Sequence, residues 1–236
     1  MKLSTIAKTS LALGILTTGV MTTYAQSADA AQTSIQSKND SEDVNDLISY
    51  YKRDYWNLNN VNGERYGEKV KVFSERAPLT EVKVSGSDKS RYLDENLENI
   101  DVFIVRENNT SREATNQSIG GITKPNKLKY KDYVKRVPFS IERITNDTKS
   151  VQNLIDFEIK KEELSLKELD FKIRKQLIEK HGLYSNGNNT GNIIIKMKGD
   201  SDKNRYTFEL HKKLQEHRMG DVIDATQIDR IDVEYK

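Results

Sequence analysis

The chain has no cysteine in 236 residues. That excludes a disulfide framework, a thiol nucleophile and a cysteine metal site, so the fold must stand on its packed core alone. Histidine is nearly absent, with only His181, His211 and His217. His211 and His217 are six residues apart, on a strand end and the segment after it, and define no zinc geometry with the acids around them. No G-x-S-x-G or H-E-x-x-H motif occurs, and the abundant carboxylates form no distinct pair. These absences point away from an enzyme and away from a metal or cofactor. Charge of one sign is also lacking: 38 Lys and Arg face 36 Asp and Glu, a net of +2. Such a balance argues against a dedicated nucleic-acid binder, although it leaves room for a local basic patch. No apolar run is long enough to span a bilayer.

What is present begins with a secretion signal. Lys2 and Lys8 form its charged region, residues 11–20 its short apolar core, and Ala28-Asp29-Ala30 a small-x-small cleavage site. The expected product is a released, extracellular protein cleaved near Ala30, without membrane insertion. Residues 31–42 read as a disordered polar leader. Residues 43–51 then carry Val44, Leu47 and Tyr51 at helical spacing.

From Tyr55 the pattern changes to short strands and turns. Residues 56–61 lead to a turn expected at Asn62-Gly63, 81–84 alternate, and 100–105 form a compact apolar strand. A polar turn is expected over 108–116. Residues 118–123 read as a strand interrupted by Gly120 and Gly121, which suggests a bulge or a close backbone approach. Strands so spaced suggest a small barrel or sandwich. Residues 124–137 are basic, with Tyr130 and Tyr133 among five cationic residues between Pro125 and Pro138, and mark the domain boundary. Such a run reads either as a lysine-guarded edge strand or as a site for an acidic partner or RNA. Further strands are expected at 139–144, 154–159, 192–197, 205–211 and 228–235, with a turn at 146–150.

Between them lies the clearest helix. Ser165 is a good N-cap and Glu168 completes a capping box. Leu166, Leu169, Ile173 and Leu177 form an apolar stripe, and Gly182 stands where a C-cap glycine belongs. Asp170 and Arg174 are four apart and can pair, worth only ~0.3–0.5 kcal/mol if exposed. By itself this is an amphipathic helix lying on a sheet, and a helix crossing four or five strands fits an α+β domain.

The spacing of Lys161, Leu164, Leu169, Asp170, Arg174, Leu177, Leu183 and Tyr184 resembles the signature of the staphylococcal and streptococcal superantigen toxins. The run EELSLKELDFKIRKQLIEKHGLY is most similar to the staphylococcal superantigen-like proteins. Gly120-Gly121-Ile122-Thr123 resembles a second family signature, with Ile119 in place of its tyrosine and Asn126 out of register; its expected role is to close the barrel. The resemblance implies a two-domain α+β architecture, an N-terminal OB-fold barrel over 43–134 and a C-terminal β-grasp domain over 135–236. It implies a binding protein that acts in immune evasion. True superantigens often carry a disulfide loop and zinc ligands in the last strand, and this chain has neither.

The segment YTFELHKKLQEHRMGD, from Tyr206 to Asp221, gathers hydroxyl, cationic and carboxylate groups at one strand end. A sialylated glycan needs that mixture, since its carboxylate takes Arg or Lys together with a hydroxyl or backbone N–H. The segment is similar to the glycan-binding subset of the family, which takes sialyl Lewis X-type sugars. Carried over by position, Thr207 bonds the sialic acid carboxylate and Arg218 holds the sialyl-galactose part, while Glu209, Lys213 and Asp221 line the remaining sugars. The implied partners are sialylated glycoproteins on host leukocytes, whose capture blocks adhesion or receptor signalling. Single sugars bind weakly, so useful affinity needs multivalent surfaces or a homodimer. A rival reading is a protein-binding module, in which the OB domain and residues 130–136 grip a soluble host immune protein or a chemoattractant receptor. A third is a superantigen bridging MHC class II and the T-cell receptor.

Overall fold

The structure, a computed structural model, describes residues 42–107, 115–145, 148–185, 187–199 and 204–235. The expected signal peptide and all but the last residue of the leader lie outside the described residues, as does most of the turn expected over 108–116.

The folded part opens with α1 (Val44–Tyr51), capped by Asp43, whose carboxylate accepts the Asn45 N–H at 2.7 Å. β1 (Tyr55–Tyr66), β2 (Lys69–Phe73) and β3 (Thr80–Lys83) lead through the single turn α2 (Asp88–Arg91) to β4 (Asn96–Val105), β5 (Asn116–Ile119) and β6 (Ile122–Thr123). The six strands form one sheet in the order β5-β3-β2-β1-β4-β6. The turn expected at Asn62-Gly63 is strand instead. β1 runs through it, and a Cβ on Gly63 would lie 2.8 Å from Val70 Cγ1, so the glycine serves close packing and not reversal. The hairpin turns at Gly67, at φ +58°. β5 and β6 occupy opposite edges of the sheet, and Gly120 and Gly121 join them at φ +56° and +88°. A Cβ at Gly121 would sit 2.6 Å from the Phe103 carbonyl oxygen. Only glycine allows this corner, which curls the sheet toward a barrel.

The second domain comprises β7 (Lys135–Val137), β8 (Phe139–Thr145), β9 (Thr148–Asn153), β10 (Phe157–Ile159), β11 (Glu163–Ser165), α3 (Leu166–His181), β12 (Gly191–Met197), β13 (Arg205–Glu209), β14 (Val222–Asp224) and β15 (Ile228–Tyr235). Its main sheet has the order β13-β12-β15-β8-β9, with β15 and β8 parallel at the centre. Two small ladders, β10 with β7 and β11 with β14, complete it. The architecture is the expected α+β pair of OB barrel and β-grasp. The turn expected at 146–150 is largely β9, and the strand expected over 154–159 shrinks to β10. All six β9 residues are exposed, so its sequence carries no alternation to read.

α3 keeps its expected cap, with Ser165 Oγ accepting the Glu168 N–H at 3.1 Å, and ends at Gly182 at φ +68°. The capping box is only half formed. The buried Glu168 carboxylate pairs with Lys161 Nζ at 3.1 Å and with Lys172. Burial alone would raise the Glu168 carboxyl, but the two lysines hold it below the ordinary range. Lys161 Nζ also donates to Thr123 Oγ1 at 2.8 Å, which ties the helix to the barrel. Lys167 Nζ does the same, donating to Ser118 Oγ and to the Ile119 carbonyl, each at 2.8 Å.

The Asp170–Arg174 pair forms and is buried, so the small value of an exposed pair does not apply: Arg174 is 0% and Asp170 2% exposed. Arg174 Nε donates to Asp170 Oδ1 at 2.7 Å, and Tyr51 Oη of α1 donates to Asp170 Oδ2 at 2.6 Å. Arg174 Nη1 donates to Tyr184 Oη at 2.6 Å and to the Leu210 carbonyl at 3.1 Å, and Nη2 to the Glu209 carbonyl at 2.8 Å. Around this network Tyr50, Tyr51, Tyr55, Phe103 and Phe171 pack with ring centroids 5.0–5.8 Å apart. α1 and β4 thus contribute to the core of the second domain, and the two domains meet through packed side chains and not through a linker.

Two outcomes follow for stability. Arg174→Ala leaves Asp170 buried and unpaired, and its unfolding free energy in urea is expected to fall by about 3–5 kcal/mol. Lys167 is fully buried, and burial pushes its ammonium down to about 8, against the pull of Glu107. The folded chain therefore holds fewer protons than the unfolded chain between about pH 8 and the ordinary lysine value of 10.5, so this group's contribution to stability rises with pH through that window. Raising the pH from about 7 to about 9.5 should add about 2 kcal/mol through Lys167, a gain that urea titrations of Lys167→Met should lack.

Candidate functional site

β13 is an edge strand, pairing only with β12, and Thr207 lies opposite Ile194. Phe208 and Leu210 are buried, while Thr207 and Glu209 alternate to the outer face and are partly exposed. The chain then turns through Lys212 and Lys213 into a one-turn 3-10 helix, Glu216–Arg218. That turn brings Arg218 back beside the strand. Its Nη1 donates to the Thr207 carbonyl at 3.1 Å and to Gln215 Oε1 at 3.2 Å, and the guanidinium carbon lies 5.6 Å from the Phe208 ring centroid. Among the described residues, Nε and Nη2 of Arg218 have no acceptor. The N–H and C=O of one residue in an antiparallel strand point to the same side. Since Arg218, outside the sheet, takes the Thr207 carbonyl, the Thr207 N–H also faces the open edge. A backbone N–H, a hydroxyl and a guanidinium with unused donors thus lie together at the partly exposed edge of β13, called the notch below.

The other expected site residues are placed differently. Glu209 pairs with Lys212, its neighbour in the turn. Lys213 Nζ reaches Glu107 Oε2 at 2.6 Å and sits 3.9 Å from the Tyr50 ring centroid. Burial alone would raise Glu107, and Lys167 together with Lys213 holds it below the ordinary carboxylate range. Asp221 Oδ1 accepts the Ser87 N–H at 2.9 Å. Lys213 and Asp221 therefore border the notch with their charges directed at the first domain. Gln215, which accepts from Arg218, was missed by sequence reasoning, and Lys212, one of the cations gathered in this segment, pairs with Glu209 at i,i+3 spacing.

Both domains hold the notch in shape. From behind, Arg174 and Tyr184 bond the carbonyls of Glu209 and Leu210. From the side, Ser87 Oγ donates to the Gly220 carbonyl at 2.9 Å, Ser85 Oγ bonds the Glu216 carbonyl, and Lys83 pairs with Glu216 at 2.9 Å. A Cβ at Gly220 would lie 1.9 Å from the Ser85 carbonyl oxygen, so the close approach requires glycine. Two concavities, of about 240 and 400 Å³, lie elsewhere, beside β1 and between α3 and β10, and neither includes Thr207 or Arg218. Among the described residues no cluster of His, Cys, Asp and Glu is placed to hold a metal ion.

Comparison with known proteins agrees with this architecture. Residues 45–126 match the family model of the staphylococcal superantigen-like OB-fold domain, and 137–235 that of the staphylococcal/streptococcal toxin β-grasp domain. Superantigen-like protein 11 of Staphylococcus aureus strain Newman is 46% identical over 99% of both chains. Staphylococcal superantigen-like 5 of the same strain is 40% identical over 98% of both. Among solved structures, the superantigen-like protein SSL5 complexed with sialyl Lewis X aligns with a TM-score of 0.73 at 37% identity, over 82% of this chain and all of that one. SET3, a superantigen-like protein from Staphylococcus aureus, aligns with a TM-score of 0.74 at 35% identity, over 84% of this chain and 98% of that one. The family consists of binding proteins and not enzymes. With both domains matched and relatives similar along nearly the whole length, the chain belongs to the staphylococcal superantigen-like proteins.

Proposed function

We propose that this protein is a secreted immune-evasion factor that binds sialylated glycans of the sialyl Lewis X type on host leukocyte glycoproteins, and so blocks adhesion or receptor signalling. The observation that carries this reading is the Arg218 guanidinium bonded to the Thr207 carbonyl on an open sheet edge. A sialic acid carboxylate entering there meets the Thr207 N–H and hydroxyl together with the unused donors of Arg218, the charge-assisted combination such a group requires. Glu209 stands on the same face and is the acceptor for neutral sugar hydroxyls, while Lys213 and Asp221 border the turn. The solved relative with sialyl Lewis X bound supports the ligand class.

The partly exposed edge fits a weakly held sugar, so avidity on a crowded cell surface, or through a homodimer, supplies useful affinity. Capture by such a site needs no enzyme chemistry and no cofactor.

A glycan array tests the assignment. Arg218→Ala is expected to weaken sialyl Lewis X binding by ~10- to 100-fold, the loss of a charge-assisted contact. Thr207→Pro removes an outward N–H and a hydroxyl without breaking the ladder to β12, and should add to that loss. Equal binding by wild type and the double variant rejects the site. Sialidase treatment of neutrophils should abolish binding; binding that survives it points to a protein target.

A further inference from the structure

The basic loop between the domains is not used by the glycan notch, and its form is specific. Residues 127–132 are all exposed. It is nevertheless anchored. The Glu162 carboxylate accepts the Lys127 N–H at 3.2 Å, the Leu128 N–H at 3.1 Å and the Tyr130 hydroxyl at 2.9 Å. Asn126 clamps the same base, with Nδ2 donating to the Lys160 carbonyl at 2.9 Å and Oδ1 accepting the Glu162 N–H at 2.8 Å. The clamp holds Leu128 outward at 65% exposure, with Lys124, Lys127, Lys129 and Lys131 along the loop and Lys160 at its base, all exposed. The acids nearby include Asp132, Asp224, Glu162 and Glu163, of which Glu163 accepts the Lys124 N–H at 2.8 Å and pairs with Arg91. Glu162 is committed to the loop donors, and Asp224 caps Thr226.

A single exposed leucine is ordinary. A leucine held exposed on a clamped loop and flanked by lysines has the profile of a group that adsorbs to a membrane interface. We infer that residues 124–131 dock this protein peripherally on an anionic phospholipid bilayer, with Leu128 and the Tyr130 ring at the headgroup level and the lysines on the lipid phosphates and carboxylates. Lipid fits better than an acidic protein for two reasons. Neither of the two concavities described above is lined by residues 124–131, so the loop itself offers no socket there for a partner side chain. Its cations are lysines, point charges that adapt to a mobile headgroup array, whereas the fork-shaped donors nearby are committed: Arg136 is stacked on Tyr133 at 4.5 Å and paired with Glu158 at 2.9 Å, and Arg91 is paired with Glu163. No helix of the described residues is long and apolar enough to cross a membrane, so the contact is adsorption and not insertion. Docking of this kind needs no sugar, and it calls for anionic lipid of the kind that intact cells keep in the cytoplasmic leaflet.

Sedimentation with protein-free vesicles separates the two activities. Full-length mature protein should bind phosphatidylcholine vesicles containing one-third phosphatidylserine at least ~10-fold better than pure phosphatidylcholine, and lose the preference at high salt. The pair Lys129→Ala and Lys131→Ala should weaken binding by about 25-fold, at about fivefold per lysine near an anionic surface. Leu128→Ser should weaken it by about fivefold, and Arg218→Ala should leave it unchanged. Because the chain has no cysteine, Leu128→Cys can be labelled alone with an environment-sensitive fluorophore. Its emission should rise on the anionic vesicles, while the same label at Ser150 should not respond. Equal binding to neutral and anionic vesicles, absence of binding, or a silent label at position 128 overturns the inference. So does binding to soluble heparin without binding to vesicles, which would make the loop a polyanion site.

Discussion

One buried guanidinium organises the second domain. Arg174 is enclosed completely, and each of its three nitrogens has a partner: the Asp170 carboxylate, the Tyr184 hydroxyl and two backbone carbonyls at the end of β13. A charge so enclosed is costly unless every donor is satisfied, so the groups around it have little freedom to move. Tyr51 of α1 closes the far side of the carboxylate. The N-terminal helix, the central helix, the turn after it and the edge strand are thereby held to one geometry by a single side chain, and the aromatic cluster around them keeps water out.

The joint between the domains has the same character. Lys161 and Lys167 reach from the second domain into the barrel with their ammonium groups desolvated and bonded there. Phe103 of the barrel lies in the core of the second domain. Such an interface is closer to a continuous core than to a hinge. For the turn that carries Arg218, the consequence is direct. It is bonded to Ser85 and Ser87 on one side and to the Arg174 network through residues 209 and 210 on the other. A partly exposed notch with few contacts gains most from being pre-formed, because little ordering remains for a ligand to impose.

Legibility in the sequence followed the scale of the interactions. α3 was readable from Ser165 to Gly182 because its cap, stripe and stop are local chemistry. The glycine corner at residues 120 and 121 was readable as a close approach, though not as an approach to both Phe103 and the turn at Met219. Asn62-Gly63 misled because the dipeptide favours a turn only when strand pairing does not claim it, and here β2 and β4 both do. β9 was missed because an edge strand exposed on every residue has no buried face to pattern. The pairing of Asp170 with Arg174 is legible in their spacing but its burial is not, because spacing along a helix does not say what covers it.

The order of residues alone carried the cysteine-free composition and the capped helix from Ser165 to Gly182, which are written in composition and short-range spacing, and through the family resemblance of its motifs it carried the two-domain toxin scaffold and the strand and arginine of the candidate notch. Only the folded chain decided that Thr207 and Arg218 meet, that Lys213 and Asp221 turn toward the first domain, and that the basic loop holds a leucine outward. Those outcomes depend on contacts between residues distant in sequence, Arg174 with Glu209, Asp221 with Ser87 and Leu128 with Glu162, and on burial, which no local pattern encodes.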